Sequence, residues 1–219
     1  MHDLSGFLAI FFVILFTFVL AAKWPTLSKI LFVALILRVL VIFFDYVFGS
    51  FIAGDAISFY KTADLWSQSG LYEALGNFTG FSSYSISWIL AIIFSLFGSS
   101  IILGQSISLL FGMGTVLIGC LLAEKLWEDG NKTAGKVGWV LAFFPTQILY
   151  STVIQRESYI CFFILLGLYG VVDWVKSGKL KAIIIGMLGF MSATFFHSAM
   201  IIGLLLFFFI ILVQNIVKL

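Results

Sequence analysis

Charge is scarce in this chain: 10% of its 219 residues are Asp, Glu, Lys or Arg, where an ordinary soluble domain carries about 25%. Histidine, cysteine and proline are scarcer still, at two residues each. Two cysteines rule out a disulfide scaffold, and the lack of any basic run leaves nothing to grip nucleic acid. No Walker loop, zinc-ligand spacing, serine-triad motif or dinucleotide fingerprint occurs. Apolar side chains fill the space instead, at 62% of residues, with 18% aromatic and a mean hydropathy of +1.18. Disorder and collagen are thereby excluded along with a soluble globular domain. The composition is that of an integral membrane protein.

Apolar runs occupy about 4–22, 30–48, 101–122, 137–153, 158–175, 182–197 and 199–217. They lack the two-residue alternation of a membrane barrel, so the fold class is all-α and polytopic. A bilayer core about 30 Å thick takes roughly 20 residues per helix. The length therefore predicts about seven transmembrane helices forming one domain over 1–219. The N-terminal Met1-His2-Asp3 has no basic n-region, and its apolar run is long, so the first run reads as an uncleaved span. Cys120 and Cys161 fall near opposite faces in this arrangement, too far apart to pair.

Residues 49–100 break the pattern. They hold Gly54, Asp55, Lys61, Asp64, Glu73 and Gly76, then a short apolar stretch from Ile86 to Phe97. That stretch suits an interfacial or re-entrant helix inside one large extracytoplasmic loop. Lysines support this reading. If 84–100 does not cross, Lys23, Lys29, Lys125, Lys132, Lys136, Lys176, Lys179, Lys181 and Lys218 share one side, nine of the twelve basic residues. The positive-inside rule makes that side cytoplasmic, with the N-terminus outside and the C-terminus inside. Asp45, Asp55, Arg156, Glu157 and His197 then converge on the outer face.

Arg38 lies near the middle of the second run, where a bare guanidinium costs about 2.5–3.5 kcal/mol on insertion scales. Asp45 follows seven residues later on the same helical face. The two read either as a buried structural pair or as a cation at the base of an outward cavity. Asp55 reads as the N-cap of a helix over 56–69 or as a functional acid. Arg156 and Glu157 point about 100° apart on a helix, so each is expected to take its own partner. Arg156 is a candidate for anion binding, and His197 for acid–base work or phosphate contact. Pro145 ends or kinks the fourth run, so Pro145 to Ser158 is expected to turn at the outer surface. Paired glycines, such as Gly167 with Gly170 and Gly186 with Gly189, read as helix packing. Asp173 and Lys176 read as a solvated pair.

The run Gly54-Asp55-Ala56-Ile57-Ser58-Phe59-Tyr60-Lys61-Thr62-Ala63 is followed by Gly70-Leu71-Tyr72 and an amphipathic stretch from Ser87 to Phe97-Gly98. Next come a span and basic turn from Ile101 to Lys136, then Phe144-Pro145 through Ser151 to Glu157-Ser158. This order resembles the N-terminal module of GT-C-type membrane glycosyltransferases, over roughly residues 45–175. Members of that family often carry paired acids in the first loop, whereas Asp55 has no acidic neighbour, and they generally carry more helices and a C-terminal region. Arg156-Glu157 with His197-Ser198-Ala199 is also similar to a pattern in bacterial exopolysaccharide and O-antigen polymerase-like membrane proteins.

The resemblance implies transfer of a sugar from a polyprenyl-phosphate donor to a glycan, lipid or protein acceptor in the bacterial inner membrane. It implies Asp55 as the catalytic base, with Arg156, Glu157, His197, Tyr60, Arg38 and Asp45 as donor-phosphate or substrate contacts. If a divalent cation such as Mg2+ or Mn2+ takes part, Asp55 and Glu157 are its candidate ligands. The alternatives are a polymerase-like protein, and a small non-enzymatic transporter or membrane assembly subunit using the same charges as a polar pathway or latch.

Overall fold

A computed structural model describes residues 3–49 and 54–217, with side chains placed to residue 213. Lys218 lies outside the described residues. The chain is a succession of helices: α1 (Leu4–Lys23), α2 (Ser28–Phe48), α3 (Gly54–Gln68), α4 (Leu71–Gly76), α5 (Ser85–Phe97), α6 (Ile101–Leu126), α7 (Gly130–Phe143), α8 (Pro145–Tyr150), α9 (Arg156–Ser177), α10 (Leu180–Phe196) and α11 (Ile201–Val217). Single 3-10 turns precede α2 and α11. No strand occurs among the described residues. Four helical stretches are long and apolar enough to cross a membrane: Leu4–Lys23, Pro25–Phe48, Ile101–Leu126 and Arg156–Ser177. α10 and α11, at 17 residues each, are shorter.

The directions of the helices follow from their contacts. α1 and α6 start together, where Ser100 Oγ donates to Asp3 Oδ1 at 3.1 Å. α6 and α9 run parallel: Ser158 Oγ donates to the Ser108 carbonyl at 2.9 Å near their starts, and Lys125 meets Asp173 at 2.6 Å near their ends. α2 runs the other way, because Asp45 near its end accepts from Gln105 near the start of α6. α10 returns antiparallel to α9, with Gly170 against Gly186 and Gly167 against Gly189. A Cβ on Gly170 would stand 2.3 Å from the Gly186 nitrogen, so the packing reading of these glycines holds.

One end of the bundle therefore carries Lys23, Lys29, Lys125, Lys132, Lys136, Lys176, Lys179 and Lys181. The other carries Asp3, Asp45, Asp55 and Arg156. The segment after α2 leaves from the acid end and returns there to begin α6. α5 stays at that end throughout: its Trp88 and Phe94 meet Phe195 at the close of α10 and Tyr60 on α3. It does not traverse the bundle. The lysine end is cross-linked differently from the sequence expectation, because Asp173 pairs with Lys125 across helices while Lys176 donates to the Lys125 carbonyl.

α6 is the central helix, packed by α1, α2, α7 and α9. Its glycines let different neighbours close in at different heights. Cβ atoms on Gly104, Gly112 and Gly119 would stand 2.6, 2.2 and 2.4 Å from Ile154, Ser151 and Leu141. Packing by four helices explains why it shows no single apolar face.

The run 137–153 is broken at Pro145, where its sequence marks a stop or kink. α7 stops at Phe143 and α8 restarts at Pro145. Proline has no N–H to give the Leu141 carbonyl one turn back, and its ring disfavours helix at Phe144. Arg38 supplies the missing donors. Its Nη2 donates to Leu141 O at 3.2 Å and its Nη1 to Ala142 O at 3.4 Å. Its Nε donates to Ser151 Oγ at 2.9 Å, beyond the end of α8. The side chain is 0% exposed and reaches both sides of the break.

Replacing Arg38 by Leu orphans these acceptors and is expected to destabilise the fold by about 1–3 kcal/mol. Pro145→Ala restores an N–H near Leu141 and should recover part of that loss. Thermal unfolding of the two single variants and the double variant in detergent measures it. Strictly additive effects would show that Arg38 does not act through the break.

Candidate functional site

The acid end holds two cavities that share a wall. The larger, of about 730 Å3, is lined by residues including Asp3, Asp45, Tyr60, Asp64, Ser99 and Gln105. Among the described residues no Lys or Arg lines it. The smaller, of about 250 Å3, is walled by Ala56, Ile57, Ile101, Val153 and Ile154, with Lys61 at its side. Asp45, Tyr60, Ile101 and Gln105 line both. One chamber is thus rich in acceptors and the other largely apolar, separated by a polar partition.

Each partition residue is held by its element. Asp45 sits in the last turn of α2 and is 6% exposed, and its Oδ2 accepts from Gln105 Nε2 at 2.7 Å. That contact gives the buried carboxylate a donor where water is limited. Tyr60 is fixed on α3 by ring contact with Phe94, and its hydroxyl accepts from Ser99 Oγ at 3.1 Å. α3 itself is pinned to α5, where Ser87 Oγ donates to the Phe59 carbonyl at 3.0 Å. In the larger chamber Asp64 accepts from Gln68 Nε2 at 3.2 Å.

The sequence candidates divide into three groups. Asp45 and Tyr60 line the cavities. Arg38 lies deeper in the bundle; it is engaged with the α7–α8 break and forms no ion pair with Asp45. The two side chains thus take part in separate arrangements, one at the break and one with Gln105. Asp55 lies in the first turn of α3, exposed, immediately before the cavity residues Ala56 and Ile57. Asp55 is itself helical, so it lies inside α3 rather than capping it, where a carboxylate complements the helix dipole.

Arg156, Glu157 and His197 form the third group, outside both cavities. Arg156 Nε lies 3.3 Å from Glu157 Oε1, so the neighbours do pair with each other. At the opening of α9 no preceding turn confines the two long side chains, and they bend across the angle between them. Arg156 Nη1 also donates to Ser83 Oγ in the loop before α5. The same loop packs Phe78 and Phe81 on Phe195, two residues before His197. His197 Nδ1 accepts from the Ala199 N–H at 3.2 Å and caps the turn into α11.

Gln105, Asp64 and Lys61 were not singled out from the sequence. Asp64 follows Tyr60, and Lys61 follows Ile57, at the four-residue helical spacing, a signal that only the start of α3 makes readable. Gln105 had a weaker one, a lone amide early in an apolar run. Among the described residues no three His, Cys, Asp or Glu side chains converge to hold a metal ion, so Asp55 and Glu157 are not joined in such a set. Compared with protein-family models, curated proteins and solved structures, the chain matches none.

Arg156→Gln removes the tie between α9 and the loop before α5. Deuterium uptake across 77–84 should rise, while Asp55→Asn should leave it unchanged. Equal uptake in all three proteins would show that the tie does not order the loop.

Proposed function

We propose that this chain transfers a sugar from a polyprenyl-phosphate donor to an acceptor hydroxyl at the outer face of a bacterial inner membrane. One observation carries the reading: an acceptor-rich chamber and an apolar chamber meet at Asp45, Tyr60 and Gln105. An amphiphile with a glycan head and a hydrocarbon tail has the same division. Carboxylates accept from sugar hydroxyls, and the tyrosine and amide groups both donate and accept. The resemblance over residues 45–175 supports the same chemistry.

In the proposed reaction the acceptor oxygen attacks the anomeric carbon. The bond from that carbon to the phosphate oxygen breaks, and the lipid phosphate leaves with the electron pair. By the resemblance the acceptor proton passes to Asp55, which lines neither cavity and would meet the acceptor from the exposed start of α3. Of the carboxylates Asp3, Asp45, Asp55, Asp64 and Glu157, only Asp55 makes no hydrogen bond or ion pair among the described residues. Its lone pairs are free for the acceptor. The departing phosphate needs a cation, and among the described residues Arg156 and Lys61 are the Arg and Lys at this end.

The reading takes seven crossings. α1, α2, α6 and α9 supply four; the α7–α8 pair, α10 and α11 supply the others, with α5 as the re-entrant or interfacial element. The lysine end then faces the cytoplasm, as positive-inside sorting requires. The Arg156–Glu157 pair and its tie to Ser83 favour one competing reading, a non-enzymatic assembly subunit that uses these charges as a latch.

Two measurements test the proposal. A membrane-impermeant thiol reagent applied from outside should label Ser58→Cys and not Asn131→Cys; the reverse would invert the bundle and end the reading. Purified chain in proteoliposomes, given radiolabelled polyprenyl-phosphate sugars, should transfer label to an acceptor. Asp55→Asn should cut the rate by about 100-fold or more while the protein stays folded. A graded loss matched by lost stability would favour the latch.

A further inference from the structure

α3 carries an ordered stripe. Ile57, Lys61, Asp64 and Gln68 are spaced four, three and four residues apart, so they share one face of the helix. Ile57 and Lys61 line the apolar cavity, while Asp64 and Gln68 line the larger one. Tyr60, beside them, lines both. Over about 10 Å of helix the face passes from hydrocarbon to a cation to acceptors. That is the order of parts in an isoprenoid phosphosugar.

The charges sort the parts further. Among the described residues three carboxylates and no Lys or Arg line the larger cavity, so it repels a phosphate and suits hydroxyl donors. Arg156 lines neither cavity, and its guanidinium is held by Glu157 and Ser83. Lys61 is exposed, lines the apolar cavity, and makes no hydrogen bond or ion pair among the described residues. An ammonium on a flexible stem suits a point contact to phosphate.

We propose that Lys61, rather than Arg156, binds the phosphate of an isoprenoid phosphate whose chain enters the slot between Ile57, Val153 and Ile154 and whose sugar occupies the chamber beyond Tyr60. The assignment rests on the lipid-linked sugar reading and names the parts of its site. It makes Arg156 a residue that positions the loop before α5.

The test uses the full chain in nanodiscs of neutral lipid, with a short isoprenoid phosphate, the matching isoprenoid alcohol and inorganic phosphate as probes. Affinities are read by native mass spectrometry. The intact protein should bind the isoprenoid phosphate more tightly than either fragment. Lys61→Gln should weaken it by about tenfold or more, down to the level of the alcohol. Lys61→Arg and Arg156→Gln should retain it. Lys61 is exposed, so these losses are not ones of folding. Unchanged affinity in Lys61→Gln, or a loss in Arg156→Gln alone, overturns the assignment. Equal affinity for inorganic phosphate reduces it to an anion site, and equal affinity for the alcohol to an apolar slot; either overturns it. The transfer assay separates the two proposals. Lys61-dependent binding without sugar transfer refutes the enzyme and keeps the lipid site. Transfer with unaltered KM in Lys61→Gln refutes the lipid site alone.

Discussion

The structure depends on one guanidinium. Arg38 is a cation in the middle of an apolar bundle, and the α7–α8 break is a set of backbone carbonyls without donors; each is costly alone. Together they satisfy one another. Because Arg38 reaches Leu141, Ala142 and Ser151, α7 can end at Phe143 and the chain can turn before α9 begins. That turn carries Val153 and Ile154 to the wall of the apolar cavity. The proposed lipid slot is therefore a consequence of a helix that stops early.

The second constraint is the central helix. α6 has small residues on several sides, so α1, α2, α7 and α9 approach it closely without competing for a single stripe. Its first turns also anchor the acid end, through Ser100 to Asp3 and Gln105 to Asp45. The cavities are built around these anchors. Rigid helices position the partition, while α3 and α5 close it from above.

Much of the fold was legible because hydropathy and charge are additive along the chain. The apolar lengths predict helices, and the lysines predict that 84–100 returns to the end it left; the contacts of α5 agree. Pro145 marks the break because a missing N–H is a local fact. What was not legible is pairing. Arg38 meets Ser151 across 113 residues, and Gln105 meets Asp45 across 60. No local pattern encodes such partners. The same limit produced the wrong expectation for Arg156 and Glu157, where ideal helical angles ignore how far long side chains bend at a helix start. It also hid Lys61, whose significance comes from Val153 and Ile154, far away in sequence.

The circuit at the acid end is closed by one hydrogen bond. The residues just before and just after the segment carrying α3, α4 and α5 are joined by the Asp45–Gln105 hydrogen bond. Its entry and exit thus lie side by side, and its length has little bearing on how the helices beneath are strung. The inner faces of α3 and α5 are tied to the scaffold, because Ala56, Phe59, Ile86 and Leu90 share a core with Leu103, Val153 and Tyr159. Insertions at its exposed turns can therefore reshape the outer surface while the helices beneath keep their direction and order.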